Sequence, residues 1–233
     1  LENINSSSAL LQNSLATVRW NIDKIYLKSL AEQKISIVPT LWQKNFSRND
    51  LSSFFAHFNC QQLVIKPRIS ANADNTFWLK KESAEQSISQ LEAIFSQSEF
   101  MVQPFMSNVI DEGEFSLFYF DGQYSHAILK TPKADDFRVQ EEYGGRLQTI
   151  TPEKALLAQA DSTLAAITQL TDEMPLYARV DFVRINDGGA NEPFALMEAE
   201  LIEPSLYFNT DENSAQRFAN TFVKRMNELI AKP

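Results

Sequence analysis

The stretch that decides the fold is FALMEAELIEPSLYF, residues 194–208. It opens as a strand, apolar almost throughout, yet Glu198 and Glu200 stand two residues apart in its middle. Side chains i and i+2 of a strand point to the same face. Regular alternation therefore places Leu196, Glu198 and Glu200 on one face and Ala195, Met197, Ala199 and Leu201 on the other. The segment before it, LYARVDFVRI (176–185), alternates in the same way and groups Tyr177, Arg179, Asp181 and Val183. Between the two lies NDGGAN (186–191), a turn signal. If it closes a hairpin, Asp181 falls roughly opposite Glu198 and three carboxylates share one sheet face. Carboxylates that close repel, and one must take a proton unless a cation sits among them. Oxygen ligands without histidine or cysteine suit Mg²⁺. The competing reading is a solvated sheet face carrying scattered acids.

Upstream, strand and helix signals mix. RWNIDKIYLKSLAEQ (19–33) reads as one helix capped by Asn21, with Lys24 in its first turn. ISIVPT (35–40) reads as a strand stopped by Pro39, SRNDLSSFFAHF (47–58) as a helix, QQLVIKP (61–67) as a short strand and ESAEQSISQLEAIF (82–95) as a helix. From about residue 99 strands dominate: FMVQPF, EFSLFYF, QYSHAILK and RLQTI, with Asp121-Gly122 marking a hairpin turn. A helix follows over 152–170, opened by Pro152, and another carries the stripe Ala215, Phe218, Ala219, Phe222, Met226, Leu229 and Ile230. Core packing accounts for these stripes in this reading. The fold class is α+β, with residues 1–17 as a linker or remnant of a preceding domain, 18–103 as a smaller lobe and 104–233 as a larger one.

Composition narrows the function classes. The 233 residues suffice for one large domain or two small lobes. The net charge of −9 argues against general nucleic-acid binding, where a basic stripe is expected. It leaves room for a nucleotide, because a few local cations and a metal can dominate one cleft. No apolar run reaches the roughly 18 residues of a membrane helix, and the polar start lacks a signal-peptide pattern. The single cysteine, Cys60, cannot form an internal disulfide and fits a cytoplasmic protein. Leu1 is not a natural start, so the expectation is a fragment lacking an N-terminal domain.

Several cations await a partner. Lys24 at a helix start opposes the macrodipole unless an anion sits there. Lys66 ends an apolar strand. Lys130, Lys133 and Arg138 lie in the long loop LKTPKADDFRVQEEYGG (129–145), whose Gly144 and Gly145 permit close backbone approach to a ligand. ISANADNT (69–76) is a second polar loop but has no glycine, so it is not a P-loop. Cys60 reads as packing. His126 is weighed between sheet-face packing and substrate contact.

In this order the pieces resemble the ATP-grasp ligases, in the branch of glutathione synthetases, ribosomal-protein glutamate ligases and the O-ureido-serine cyclo-ligase. VRWNIDKIYL is similar to the family's first helix, LVIKP to its lysine strand, MVQPF to its adenine hinge, EGEFSLFYFDGQYSHAILK to the hairpin that follows, DFRVQEEYGG to its substrate- and phosphate-facing loop, and ARVDFVR with LMEAELIEPSLYF to its two metal strands. The match runs from about residue 18 to the C-terminus. The resemblance implies two α+β lobes with antiparallel sheets gripping ATP. It implies that Lys24 and Lys66 meet phosphates, that Gln103, Pro104 and Phe105 present backbone to adenine, and that Glu114 lies near the ribose. Asp181, Glu198 and Glu200 would hold one or two Mg²⁺ ions, and Arg138, Arg179 and Lys130 would serve the reaction. The implied chemistry joins a small-molecule or peptide carboxylate to an amine through an acyl phosphate, with a homodimer as a possible assembly and neither nucleic acid nor membrane as partner. One departure stands out: many relatives end the metal pair as Glu-x-Asn, and here Glu200 replaces the Asn. The rival readings are a phosphotransferase that stops at a phosphorylated product and an ATP-binding module without catalysis.

Overall fold

Where apolar and polar residues alternate with period two the chain forms sheet, and where they recur every three or four residues it forms helix. The computed structural model describes residues 1–133, 138–139, 144–185 and 193–231. In chain order the elements are α1 (Glu2–Asn5), α2 (Leu15–Asn21), α3 (Tyr26–Glu32), β1 (Leu41–Gln43), α4 (Asp50–Phe58), β2 (Gln62–Pro67), β3 (Phe77–Lys80), α5 (Ile88–Phe95), β4 (Phe100–Pro104), α6 (Asn108–Asp111), β5 (Glu114–Phe120), β6 (Gln123–Thr131), β7 (Arg146–Ile150), α7 (Lys154–Thr171), β8 (Tyr177–Arg184), β9 (Phe194–Glu200) and α8 (Ser214–Ile230). The class is α+β. Two compact units emerge, Ile37–Ser107 and the combination of Leu1–Ser36 with Asn108–Pro233.

The smaller unit is a four-stranded antiparallel sheet in the order β1-β4-β2-β3. Leu63 and Ile65 of β2, Leu79 of β3 and Phe100 and Val102 of β4 point into its core, joined by Phe54 and Phe55 of α4 and Leu91 and Phe95 of α5. Edge-on and tilted ring contacts of 5.0–6.2 Å link Phe46, Phe54, Phe95 and Phe100.

The larger unit is a five-stranded antiparallel sheet in the order β7-β6-β5-β8-β9. The β5–β6 hairpin turns at Asp121 (φ 48°) and Gly122 (φ 75°), two consecutive positive-φ residues that suit the right-handed twist of the flanking strands. Helix α7 buries Leu156, Ala160, Thr163, Leu164 and Ile167 along one stripe. It is fastened to the sheet where the Tyr119 hydroxyl donates to Asp161 (2.7 Å) and Gln159 bonds both backbone groups of Phe194.

Six sequence expectations change. Residues 18–36 belong to the larger unit rather than the smaller lobe, because α2 and α3 pack on α7. Asn13, within the supposed linker, is buried and bonds Leu176, Tyr177 and Leu201 backbone. The single helix over 19–33 is two, and Asn21 is no cap: its amide bridges Ala199 O (2.8 Å) and Leu201 N (3.0 Å). ISIVPT holds only an isolated bridge at Ile37, and the strand forms later, at 41–43; β3 went unread. Helix α7 begins at Lys154, beyond Pro152. The stripe on α8 is not consumed by the core, for within that helix only Ser214 is buried.

Candidate functional site

The β5 sequence EFSLFYF alternates Glu114, Ser116 and Phe118 with Phe115, Leu117 and Tyr119, so one face of a central strand starts polar while the other is apolar. Residues directly opposite in an antiparallel ladder share a face. Glu114 faces Lys130, Ser116 faces Asp181, Asp181 faces Glu198, and Arg179 faces Glu200. The expected juxtaposition of Asp181 and Glu198 is therefore present; the turn NDGGAN lies outside the described residues. A bulge at Met197 shifts the pairing, so Phe182 meets Leu196. Leu196 thereby leaves the carboxylate face on which regular alternation had placed it. Phe182 and Leu196 are fully buried, and the extra residue keeps both the apolar pair and the acidic pair on their proper sides.

This polar face is dry at its centre. Ser116 is fully buried, Asp181 is 2% exposed, Lys130 4%, Lys24 7% and Arg179 8%. Such charges persist only when paired. Lys130 Nζ contacts Glu114 Oε1 and lies 3.5 Å from Asp181 Oδ1. Arg179 forks onto Asp181 through Nε (3.1 Å) and Nη2 (3.0 Å), and Nη2 also contacts Glu200 Oε1. The Ser116 hydroxyl donates to Asp181 Oδ1 at 2.5 Å. Lys24 Nζ sits 3.2 Å from Glu198 Oε1. Three cations thus answer four carboxylates among the described residues.

The titration of the cluster follows from this arrangement. Burial pushes Asp181 upward, but Arg179 and Lys130 outweigh it and hold the carboxyl below its usual range. Burial pushes Glu114 up, and Lys130 offsets only part of the rise. Lys130 loses solvation, yet Asp181 and Glu114 raise it above an ordinary lysine. Burial pushes Glu200 up to about 7 against the pull of Arg179; 30% of its side chain meets solvent, which moderates the effect.

In the smaller unit, Lys66 faces Met101 and Gln103 faces Val64, on the sheet face opposite the Leu63–Ile65 core. Gln103 is buried and donates to Thr40 Oγ1 (2.9 Å). Pro104 has no N–H, and the Phe105 N–H is taken by Gln62 O (3.0 Å), while the Phe105 ring stacks on Trp78 at 4.7 Å. The three expected hinge residues are thus adjacent, but the one N–H after the proline is already used.

Of the sequence candidates, Lys24, Glu114, Lys130, Arg179, Asp181, Glu198 and Glu200 come together on one face of the larger unit. Lys66, Gln103, Pro104 and Phe105 lie in the smaller unit. Arg138 is half-buried, and its neighbours 134–137 and 140–143 lie outside the described residues. Sequence reasoning missed Ser116 as a partner of Asp181; its signal was a hydroxyl at the centre of an otherwise apolar strand, two residues from Glu114. His126 is packing: it is 2% exposed, lies flat on Phe118 at 4.3 Å, and bonds Leu206 O through Nε2 (3.1 Å).

The donors fit Mg²⁺ in kind, being carboxylate oxygens only. Among the described residues, however, no three acidic, histidine or cysteine side chains gather as a ready-made metal cage. The reason is visible in the ion pairs: each carboxylate leans towards a cation, Glu114 and Asp181 sharing Lys130, Asp181 and Glu200 sharing Arg179, and Glu198 meeting Lys24. A carboxylate offers about four lone-pair positions, so Glu198 and Glu200 retain capacity beyond Lys24 and Arg179.

No protein-family model matches the chain. The cycloserine biosynthesis protein DcsG of Streptomyces lavendulae is 30% identical over 216 residues, covering 90% of this chain and 71% of that protein. The crystal structure of D-cycloserine synthetase DcsG superposes with a TM-score of 0.75 at 29% identity, over 89% of this chain and 71% of that one. D-alanine–D-alanine ligase from Bacillus anthracis, complexed with ATP, superposes with a TM-score of 0.68 at 17% identity, over 96% and 72% of the respective chains, a likeness of fold.

Proposed function

The chain belongs to the ATP-grasp ligases, enzymes that form amide or ester bonds on carboxylates with ATP, and we propose that it joins a carboxylate of a small amino-acid-like or peptide substrate to an amine or similar nucleophile through an acyl phosphate. The observation that carries this reading is the register that sets Asp181 against Glu198 on a buried face with Lys130 and Arg179. A substrate carboxylate oxygen bonds to the γ-phosphorus, the bond from that phosphorus to the β–γ bridging oxygen breaks, and ADP leaves. The nucleophile then attacks the acyl carbon, phosphate departs, and the nitrogen gives up its proton.

Catalysis of such a transfer is mostly positioning and charge stabilisation. In this proposal Lys24 and Lys66 take triphosphate oxygens, Lys24 exchanging part of its contact with Glu198. Arg179 turns from Glu200 towards the acyl phosphate, where its planar fork can meet two oxygens. Lys130 keeps Asp181 ionised in a dry setting, and Arg138 receives the substrate carboxylate. Glu114 accepts from a ribose hydroxyl, and the chain around Gln103, Pro104 and Phe105 meets adenine. One or two Mg²⁺ ions, when bound, would supply positive charge to the triphosphate, with Asp181, Glu198 and Glu200 as the donors and nucleotide oxygens completing the shell. Glu200 in place of the common Asn adds one negative charge, and until Arg179 turns to the acyl phosphate that guanidinium, directly opposite, balances it.

The test is hydroxylamine trapping with ATP, Mg²⁺ and a panel of amino-acid and peptide carboxylates. A hydroxamate formed by the wild type and lost in Glu198→Gln supports the ligase assignment. A phosphate ester without hydroxamate would make the chain a phosphotransferase. Tight ATP binding with no ADP release across the panel would make it a binding module.

A further inference from the structure

Strand β9 ends the order β7-β6-β5-β8-β9, so the backbone groups along its outer edge need partners from elsewhere. In an antiparallel ladder every second residue turns both its N–H and its C=O to that edge. Around the carboxylates these residues are Ala199, between Glu198 and Glu200, and Leu201, just past the strand, and both are buried. Side chains from the first 26 residues answer all four groups. The Ala199 N–H donates to the Tyr26 hydroxyl (2.8 Å). The Asn21 amide donates from Nδ2 to Ala199 O (2.8 Å) and accepts the Leu201 N–H at Oδ1 (3.0 Å). Asn13 Nδ2 donates to Leu201 O (2.8 Å). Farther back on the same edge the partner is backbone, where the Leu196 N–H donates to Ser36 O (2.9 Å).

The sheet itself holds this part of β9 loosely. The bulge at Met197 breaks the ladder on one side of Glu198, and the strand ends at Glu200 on the other. A pleat fixed along one edge only, between a bulge and a terminus, can twist, and a twist there swings both carboxylates. The side chains on the outer edge remove that freedom. They also bring Lys24 with them: Asn21, Lys24 and Tyr26 fall within six residues at the junction of α2 and α3, where Asp23 accepts the Ile25 N–H (2.9 Å). Asn21 and Tyr26 grip the backbone of β9 and its continuation, while Lys24 Nζ meets the Glu198 side chain at 3.2 Å.

We infer that Tyr26 and Asn21 are positioning residues, which hold the pleat at Ala199 from its outer edge and so fix the aim of Glu198 and Glu200 relative to Lys24. The inference rests on the reading of those carboxylates as Mg²⁺ donors. It adds that one short segment sets both the phosphate lysine and the metal donors. Tyr26→Phe tests it, because the ring that packs on Trp20 (5.2 Å) stays and only the oxygen holding the Ala199 N–H goes. Tyr119→Phe is the control. It also takes one hydroxyl from a buried tyrosine, but that hydroxyl donates to Asp161 of α7 (2.7 Å). Mn²⁺, an oxygen-seeking ion whose free form is counted by electron paramagnetic resonance, is titrated into each protein with saturating AMPPNP. Nucleotide affinity without metal and the circular dichroism spectrum are recorded alongside. The expected result is a Mn²⁺ Kd weakened about tenfold in Tyr26→Phe, the lower end for residues that orient metal ligands. Its metal-free nucleotide affinity and spectrum stay unchanged, and Tyr119→Phe binds Mn²⁺ as the wild type does. Equal Mn²⁺ affinity in Tyr26→Phe and wild type, equal weakening in both variants, or a parallel loss of metal-free nucleotide affinity would overturn the positioning role and leave the metal site standing. A wild type that takes no Mn²⁺ with the nucleotide would overturn the metal reading and this inference together.

Discussion

Lys130 shows why residue types could be found while their relations could not. As a cation in a long polar loop it looked like a group waiting for substrate. The β5–β6 register instead carries it under the sheet face, 4% exposed, between Glu114 and Asp181. Truncating one member of a buried ion network leaves the others uncompensated, at roughly 3–5 kcal/mol. Lys130→Met should therefore lower unfolding free energy by about that much, seen as an earlier urea midpoint, and a change below about 1 kcal/mol, the range of a surface pair, would contradict the network. His126 yields a pH prediction. Burial holds its imidazole below the usual value, so the native state keeps it neutral where the unfolded chain takes a proton. Stability is fully present above about pH 6.5 and declines as the pH falls from there towards the folded value. His126→Gln should flatten the dependence of the urea midpoint between about pH 5 and 7; an equally steep profile would remove His126 as the cause. The acids Asp181, Glu198 and Glu200 were legible because period two is reliable in strands. Ser116 and the inward turn of Lys130 were not, because both depend on pairing between segments.

At the scale of elements, two glycines of the β5–β6 region make contrasting demands. At Gly113 (φ 127°) a Cβ would come within 2.8 Å of Lys130 O, a backbone atom held in the sheet. At Gly122 (φ 75°) it would meet chiefly the Met174 thioether, at 2.9 Å, which can swing aside. Gly113→Ala should cost clearly more than Gly122→Ala, the latter about 1 kcal/mol from the positive φ alone, as read by paired urea titrations; the reverse order would contradict the packing around Lys130. Most elements were readable from local signals: Asp121-Gly122 as a turn, the α7 stripe, and the alternation of β5, β6, β8 and β9. Three failures share a cause. Asn21 resembled a helix cap because its type suits one, yet its amide was spent bridging the backbone of Ala199 in β9 and of Leu201 just after it, 178 and 180 residues away. The Met197 bulge is invisible to a pattern that assumes unbroken alternation. The α8 stripe announced burial, and the pattern could not say that half of the face stays uncovered.

For the molecule as a whole, order along the chain carried more than any single motif. The resemblance anticipated two α+β units with antiparallel sheets, and both are present. The division at residue 18 failed because α2 and α3, though contiguous with the smaller unit, bury their faces against α7 of the larger. None of the helices formed by the described residues is long and apolar enough to cross a membrane. The central proposal is that Asp181, Glu198 and Glu200 serve Mg²⁺ and that Lys24 and Lys66 serve the phosphates of ATP. Its most direct test is a thermal-shift titration with ATP, with and without Mg²⁺, on the wild type, Glu198→Gln and Lys66→Ala. A ligand that binds only the native state adds about 2.7 kcal/mol at a hundredfold excess over Kd. The account predicts a Mg²⁺-dependent rise in Tm for the wild type, a loss of the Mg²⁺-dependence in Glu198→Gln and a weaker response to ATP in Lys66→Ala. A rise that ignores Mg²⁺, or one that survives unchanged in both variants, would contradict it.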